Sequence, residues 1–390
     1  MSSRRAFFYV QHLLGIGHLK RAVTLARAMA AAGLDVTLAS GGAPVAALAP
    51  EGKLHGVRVV QLPPASAADL SFKTLLDGDG KPTDAQWQRR RADALLAAWR
   101  SADPQVLVIE LFPFGRRQMR FELLPLLDAA AGAGRRPAIA CSVRDVLGAK
   151  KSAARVEEAI ALVERYFDRV LVHGDRNVIA FDRTFSGAQR IAGRIEYTGY
   201  VVEAAPASRS AVGIGEVIVS AGGGAVGAEL LAAAIRAKPL SALRERRWRV
   251  LAGDNLPDAD FRNLAMLAAG ESGIELERSR PDFTSLLENC ALSISQAGYN
   301  TLMETIRAGA RAVVVPFARG QEAEQDLRAR CFAERGLLEL VDESVLAPQT
   351  LAAAIDRAVR KPPAPPGGIN LEGAQRGAAS IAKLAEGVAA

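Results

Sequence analysis

Between Leu292 and Gly336 the sequence alternates in a way that leaves few folds open. Leu292 to Ser295 reads as a buried strand entering the turn Gln296-Ala297-Gly298, and a helix follows from Tyr299 to Arg307, stopped by Gly309. A second apolar strand, Ala312 to Val315, is closed by Pro316; a polar loop and a helix from about Glu322 to Glu334 come next. Apolar strands that each feed a loop and then a helix make a βαβα unit. Parallel strands joined this way gather their loops at the carboxyl edge of the sheet, where open α/β sheets bind ligands. Glu304 is expected near that edge, with Glu324 and Gln325 at the next loop-to-helix junction.

The same alternation runs through the rest of the chain. Ala6 to Val10 is a strand, followed by the loop Gln11 to His18 and a helix that ends at Gly33; Val36 to Ala39 is the next strand. Gly15 and Gly17 sit where a dinucleotide fingerprint would begin, but its third glycine is missing and no acidic residue closes the second strand. A phosphate-facing loop and a plain tight turn both remain open there. Further strands are expected at Val57 to Gln61, Gln105 to Ile109, Pro137 to Ser142 and Arg169 to Val172. A polar stretch from Ser66 to Asp84 shows no period. Near Thr198 the composition turns to Ala, Pro, Ser and Gly, which marks a linker. The strand Glu216 to Ser220 then enters Gly222-Gly223-Gly224, and a helix begins near Ala228. Glycines before a helix N-terminus let backbone amides approach an anion, although the Gly-Lys-Ser/Thr ending of a P-loop is absent.

A chain of 390 residues exceeds one ordinary core. The expected division is residues 1–200, a linker over 201–214, a second domain over 215–365, and a terminal helix in 366–390 that docks back on the first domain. The fold class is α/β, two Rossmann-like doubly wound domains. No apolar run approaches a membrane span, the N-terminal apolar run is too short for a signal peptide, and three scattered cysteines suit a reducing compartment. The four histidines and the cysteines match no zinc spacing, so no metal is expected. A net charge of +7 suits an anionic nucleotide or a lipid surface. With 5% aromatic residues and no basic-aromatic module, nucleic acid is not an expected partner.

Strand ends supply the candidate polar groups. Glu110 closes one strand and is followed by Arg116 and Arg117; Arg144 and Asp145 lie beyond another; His173 ends a third. A carboxylate at a strand's carboxyl end fits a substrate site and fits a structural ion pair equally.

The run Ser295-Gln296-Ala297-Gly298-Tyr299-Asn300-Thr301-Leu302-Met303-Glu304, with Gly309, Pro316-Phe317 and Glu324-Gln325, resembles the nucleotide-sugar site of the peptidoglycan-type N-acetylglucosaminyltransferases. Gly15-Ile16-Gly17-His18 and Gly222-Gly223-Gly224 resemble that family's glycine-rich loops. Glu110 to Arg117 with Ser142-Val143-Arg144-Asp145 is similar to a bacterial subgroup of predicted glycosyltransferases. The resemblance implies a GT-B fold, two Rossmann-like domains facing across a cleft, and inverting, metal-independent transfer of a sugar from a nucleoside diphosphate donor, a UDP-sugar, without a cofactor. On the donor side it implies Glu304 on the ribose hydroxyls, Glu324 and Gln325 on the sugar, Gly222, Gly223 and Gly224 on the diphosphate, and Gln296, Gly298, Asn300 and Thr301 beside them. Ser279 and Arg280 fall where the family packs an apolar residue on uracil, which leaves the base open. On the acceptor side it implies Gly15, Gly17, Arg116, Arg117 and Arg144, with Glu110 as general base and His18 or Asp145 as the alternatives. The acceptor, a glycan or a lipid-linked sugar, would be met in the cytoplasm or at the inner face of the membrane, with peripheral contact through Leu13-Leu14. A hydrolysing nucleotide-sugar 2-epimerase of the same fold and a non-catalytic nucleotide-sugar-binding protein are the competing readings.

Overall fold

The computed structural model describes every residue except 1–3, 46–52, 55, 70–73, 149–150, 206–209, 225, 319–322, 363–366 and 389–390. Much of the proline-rich stretch near Pro363, Ala225 of the glycine turn and the expected helix start at Glu322 thus lie outside the described residues. The chain divides into two compact units, residues 1–201 with 372–390 and residues 202–371.

The first unit is built on an eight-stranded sheet. Its order is Ile195–Tyr197, Arg169–His173, Ala138–Arg144, Val106–Glu110, Arg5–Val10, Asp35–Ser40, Val57–Gln61 and the two-residue Lys53–Leu54, which alone runs antiparallel. Strands covered by helices on both faces must be apolar almost throughout. Ala6 to Val10 obey this, each of the five at 1% exposure or less. Burying one phenylalanine there contributes about 1.5–3 kcal/mol. Strand order reverses between Arg5–Val10 and Val106–Glu110, so the loops after these two strands diverge and leave a crevice at their carboxyl ends. The loop after the first strand leads into the helix Gly17–Ala31, and the second strand ends on Glu110.

The terminal helix Gly373–Val388 belongs to this unit. Ala378, Ile381 and Ala385 join the core formed by Phe8, Leu25 and Val108. Two glycines permit the approach: a Cβ on Gly373 would stand 2.3 Å from the Gly199 carbonyl oxygen, and one on Gly377 3.0 Å from Leu25. Ser380 Oγ donates to Glu196 at 2.9 Å, on the edge strand Ile195–Tyr197, which the sequence reading placed outside any strand. The polar stretch after Ser66 contains a small antiparallel pair, Ser66–Ala67 with Leu75–Leu76, too short to leave a periodic signature.

The basic run Arg89-Arg90-Arg91 is not a continuous surface patch, because Arg91 is fully buried. Its Nε donates to Glu122 at 2.7 Å, its Nη1 to the Gly41 carbonyl at 2.8 Å and its Nη2 to Gln11 at 2.5 Å, while Tyr9 Oη donates to the same Glu122. A buried guanidinium is tolerated when its donors find acceptors in this way. The network fixes the start of the loop that carries His18.

The second unit holds a six-stranded parallel sheet in the order Ile274–Glu277, Trp248–Leu251, Val217–Ser220, Leu292–Ser295, Ala312–Val314 and Glu339–Leu340. Its order reverses between Val217–Ser220 and Leu292–Ser295. These are the strands that feed the triple-glycine turn and the Gln296 turn.

Candidate functional site

Each unit presents polar groups at its own switch point. In the first, Glu110 is completely buried and every contact holds its carboxylate in place. Arg21, from the helix Gly17–Ala31, forms an ion pair with Oε1. His18 Nδ1 lies 3.0 Å from the same oxygen, and Ser142 Oγ donates to Oε2 at 2.5 Å. Burial alone would raise the carboxyl pKa, but Arg21, His18 and Ser142 outweigh it and hold the group far below the usual carboxylate range. Such a carboxylate is a poor proton acceptor, and no solvent reaches it. Glu110, the expected general base, is thus buried and ion-paired, with His18 beside it.

His18 is the group at this edge with both access and a free-base ring. Its side chain retains 13% exposure. Burial and the nearby Arg116 lower its pKa well below the ordinary imidazole value, outweighing the opposing hydrogen bond to Glu110. The ring is thus neutral at pH 7. Nδ1 faces an acceptor and a donor at once, Glu110 Oε1 at 3.0 Å and Arg21 Nη2 at 3.2 Å.

Behind this pair the polar chain continues inward. Ser142 Oγ is 2.9 Å from His173 Nε2, and His173 Nδ1 is 2.8 Å from Thr198 Oγ1. His173 is fully buried, and burial followed by the charge of Arg21 brings its pKa down to about 3. It is a neutral core histidine. Asp145 is buried too; its Oδ1 accepts from the Val146 amide at 2.8 Å, and a Cβ on Gly174 would stand 2.7 Å from its own Cβ. Asp145, an alternative base on sequence, is thus enclosed by the backbone of Val146 and Gly174.

Arg116, Arg144 and Arg21 put positive charge around His18. Arg116, held in a left-handed backbone conformation, donates from Nε to the Gln11 carbonyl at 2.8 Å. Burial and then Arg144 bring its pKa down to about 10. Lys151 is lowered by burial, Arg144 and Arg155. Arg117 instead points to the surface and pairs with Glu158 at 3.1 Å. Gly15 and Gly17 flank the start of the helix bearing His18. Leu13 is buried in the core and Leu14 is 41% exposed, so the expected apolar docking pair reduces to one side chain.

In the second unit the triple-glycine turn is tightly specified. Gly222 has φ +76°, and its amide donates to Ser220 Oγ at 3.1 Å. Gly253, at φ +86°, backs directly onto it: a Cβ there would lie 2.3 Å from the Gly222 carbonyl oxygen. Asn255 Nδ2 donates to the Gly223 carbonyl at 2.6 Å. The amides of Gly223 and Gly224 make no hydrogen bond among the described residues, an arrangement suited to an anion. Gly227, at φ +117°, caps the helix Ala228–Ala237. The helix Tyr299–Arg307 adjoins the turn, since a Cβ on Gly222 would stand 3.6 Å from Thr301 Oγ1.

Gly298 is the N-cap of that helix and Asn300 lies in its first turn. Glu304 is one turn further along, with 4% exposure. Glu324 is also buried, and its Oε1 accepts from the fully buried Arg328 at 2.8 Å, while Arg328 also donates to the Ala297 carbonyl at 3.0 Å. Arg328 thereby ties Glu324 to the Gln296 turn. Gln325 Oε1 accepts from the Phe317 amide at 3.2 Å. Arg280 directs its fork at Asp282, at 2.8 and 2.7 Å, which commits it to a local ion pair. No group of three His, Cys, Asp or Glu among the described residues is arranged to hold a metal ion, and no described helix is long and apolar enough to cross a membrane.

Comparison with known proteins agrees with this geometry. Residues 218–384 match the glycosyltransferase family 28 C-terminal domain. Over 128 residues, 32% of this chain and 33% of the relative's length, the sequence is 34% identical to the UDP-N-acetylglucosamine--N-acetylmuramyl-(pentapeptide) pyrophosphoryl-undecaprenol N-acetylglucosamine transferase of Synechococcus sp. (strain CC9902). The protein of that description from Phenylobacterium zucineum (strain HLK1) is 27% identical over 289 residues, 70% of this chain and 77% of the relative. Among solved structures, Acinetobacter baumannii MurG superposes with a TM-score of 0.58 at 14% identity, covering 97% of this chain and 99% of that one. The fold is GT-B, and the chain is a glycosyltransferase that carries a family 28 C-terminal domain and resembles the peptidoglycan-type N-acetylglucosaminyltransferases.

Proposed function

We propose that the protein transfers a sugar, with inversion and without a metal ion, from a UDP-sugar to a hydroxyl of an anionic, lipid-linked acceptor at the inner face of the membrane. The observation that carries this reading is the juxtaposition of the Gly222 turn with the helix bearing Thr301 and Glu304, inside the family 28 domain. A diphosphate on the amides of Gly223 and Gly224 gains from the helix that Gly227 caps. From there a ribose extends toward Glu304, whose carboxylate accepts from a vicinal diol. Glu304 lies one helical turn beyond Thr301 and is 4% exposed.

The first unit supplies the base. His18 Nε2 takes the proton of the acceptor hydroxyl as its oxygen attacks the anomeric carbon. The bond from that carbon to phosphate breaks, and the electron pair leaves with the nucleoside diphosphate. Glu110 stabilises the imidazolium that forms, and fixed amide dipoles take up charge on the leaving group. The charge of Arg144 depresses the pKa values of Arg116 and Lys151, so an anionic acceptor relieves this repulsion. The pyrophosphoryl-undecaprenol in the relatives' names is an acceptor of this chemistry.

Nucleoside diphosphate release is the test. Incubation with a UDP-sugar should release UDP only when a lipid pyrophosphate-linked sugar is added. Equal release without acceptor would favour the hydrolysing epimerase, and binding without release the non-catalytic reading.

A further inference from the structure

Beside the triple-glycine turn, the second unit contains a cavity of about 240 Å³ running from the N-terminus of the helix Ala228–Ala237 to the end of the strand Ala312–Val314. Gln296 lines it. This side chain is 7% exposed, yet its amide forms no hydrogen bond among the described residues. A primary amide so deeply buried normally finds partners for its two donors and its acceptor. Pro316 and Phe317 give the cavity an apolar wall. The charged side chains that line it are all carboxylates, Glu229, Asp260 and Glu343, and no described lysine, arginine or histidine joins them. Glu343 is held by the Ala318 amide, which donates to Oε2 at 2.8 Å.

A phosphate is excluded by that charge pattern, whereas a hydroxylated ring fits it. The volume suits one hexose, Gln296 offers paired donor and acceptor to ring substituents, and Phe317 offers an apolar face. We infer that this cavity seats the sugar ring of the donor, and that its carboxylates select a ring bearing a free amine over a neutral one and reject one bearing a carboxylate. The identification of the ring as the donor's rests on the function proposed above; the charge selection does not.

The experiment has two arms on the full-length protein. In the first, ligand-observed NMR compares glucosamine, glucose and glucuronate. Saturation should transfer most strongly to glucosamine and least to glucuronate, and the glucosamine signal should be lost in Gln296→Leu and fall several-fold in Asp260→Asn. Equal signals for the three sugars, or a glucosamine signal unchanged in Gln296→Leu, would overturn the inference. The second arm titrates UDP, UDP-glucose, UDP-glucosamine and UDP-glucuronate. UDP-glucosamine should bind at least tenfold more tightly than UDP-glucuronate. Comparable affinities for these two would place the ring outside the cavity. Failure of UDP itself to bind would instead remove the nucleotide reading, leaving the charge selection to stand or fall on the first arm.

Discussion

Oε1 of Glu110 lies 3.0 Å from Nδ1 of His18 although one residue ends a strand and the other opens the helix Gly17–Ala31, 92 positions apart. The sheet order brings them together, because the strand ending at Glu110 is hydrogen-bonded to the strand that leads to His18. A buried, ion-paired carboxylate thereby sits against a partly exposed, neutral imidazole.

Replacing His18 by Gln should lower the turnover of sugar transfer by about 10²–10⁴, the usual worth of a positioned base, and leave donor affinity within about twofold. Glu110→Gln should also lower turnover with little change in donor affinity, because the imidazolium loses its counter-charge. Steady-state kinetics beside donor titration separates the two effects. A His18→Gln variant with full turnover would remove the base assignment.

Acid should destabilise the first unit in a defined window. His173 titrates near 6.5 when unfolded and at about 3 when folded, so below pH 6.5 the unfolded chain binds a proton that the folded chain refuses. The stability is complete above pH 6.5 and falls by roughly 1.4 kcal/mol per pH unit down to about 3. Glu110, with its folded pKa also depressed, adds a loss in the same direction below the ordinary carboxylate range. Thermal melts between pH 7 and 4 should show this slope, and His173→Asn should flatten it. A melting temperature independent of pH would contradict the buried neutral histidine.

Arg91→Met leaves Glu122 charged and buried without its partner, which should cost about 3–5 kcal/mol. Chemical denaturation should show the loss, while the folded fraction keeps its affinity for UDP, since the network lies wholly in the first unit. Unchanged stability would mean that water replaces the guanidinium.

Gly227→Ala places a Cβ 2.6 Å from that of Ala221 on a backbone with φ +117°. The turn must shift, and UDP affinity should fall roughly tenfold, about 1.4 kcal/mol, with the melting transition still cooperative. Titration calorimetry checks both the affinity and the binding-competent fraction.

The sequence shows the central strands of both sheets plainly, because a parallel strand covered on two faces is an apolar run, as in Phe7 to Val10 or Val217 to Val219, whereas the edge strands Ile195–Tyr197 and Lys53–Leu54 carry no such run. The terminal helix from Gly373 was legible from its amphipathic spacing. What the sequence concealed was the use of charged residues in the interior. On a helical repeat Arg91 reads as solvent-facing, and only the fold brings Glu122, Gln11 and the Gly41 carbonyl to it from distant positions. On sequence Glu110 fitted a substrate site and a structural ion pair equally, because its strand end was visible while its partners Arg21, Ser142 and His18 lay far away along the chain. Glu324 read as a sugar contact because Arg328, one helical turn away, gave no sign of facing inward. The cavity at Gln296 had no linear signal, since its walls come from five separate segments.

The central claim is that the second unit grips a nucleoside diphosphate through the glycine turn and Glu304. Calorimetric titration of UDP into the wild-type protein and Glu304→Ala tests it most directly. A charge-assisted pair of hydrogen bonds is worth roughly 2–3 kcal/mol, so the variant should bind about 30- to 150-fold more weakly. Equal affinities in the two proteins would contradict the account.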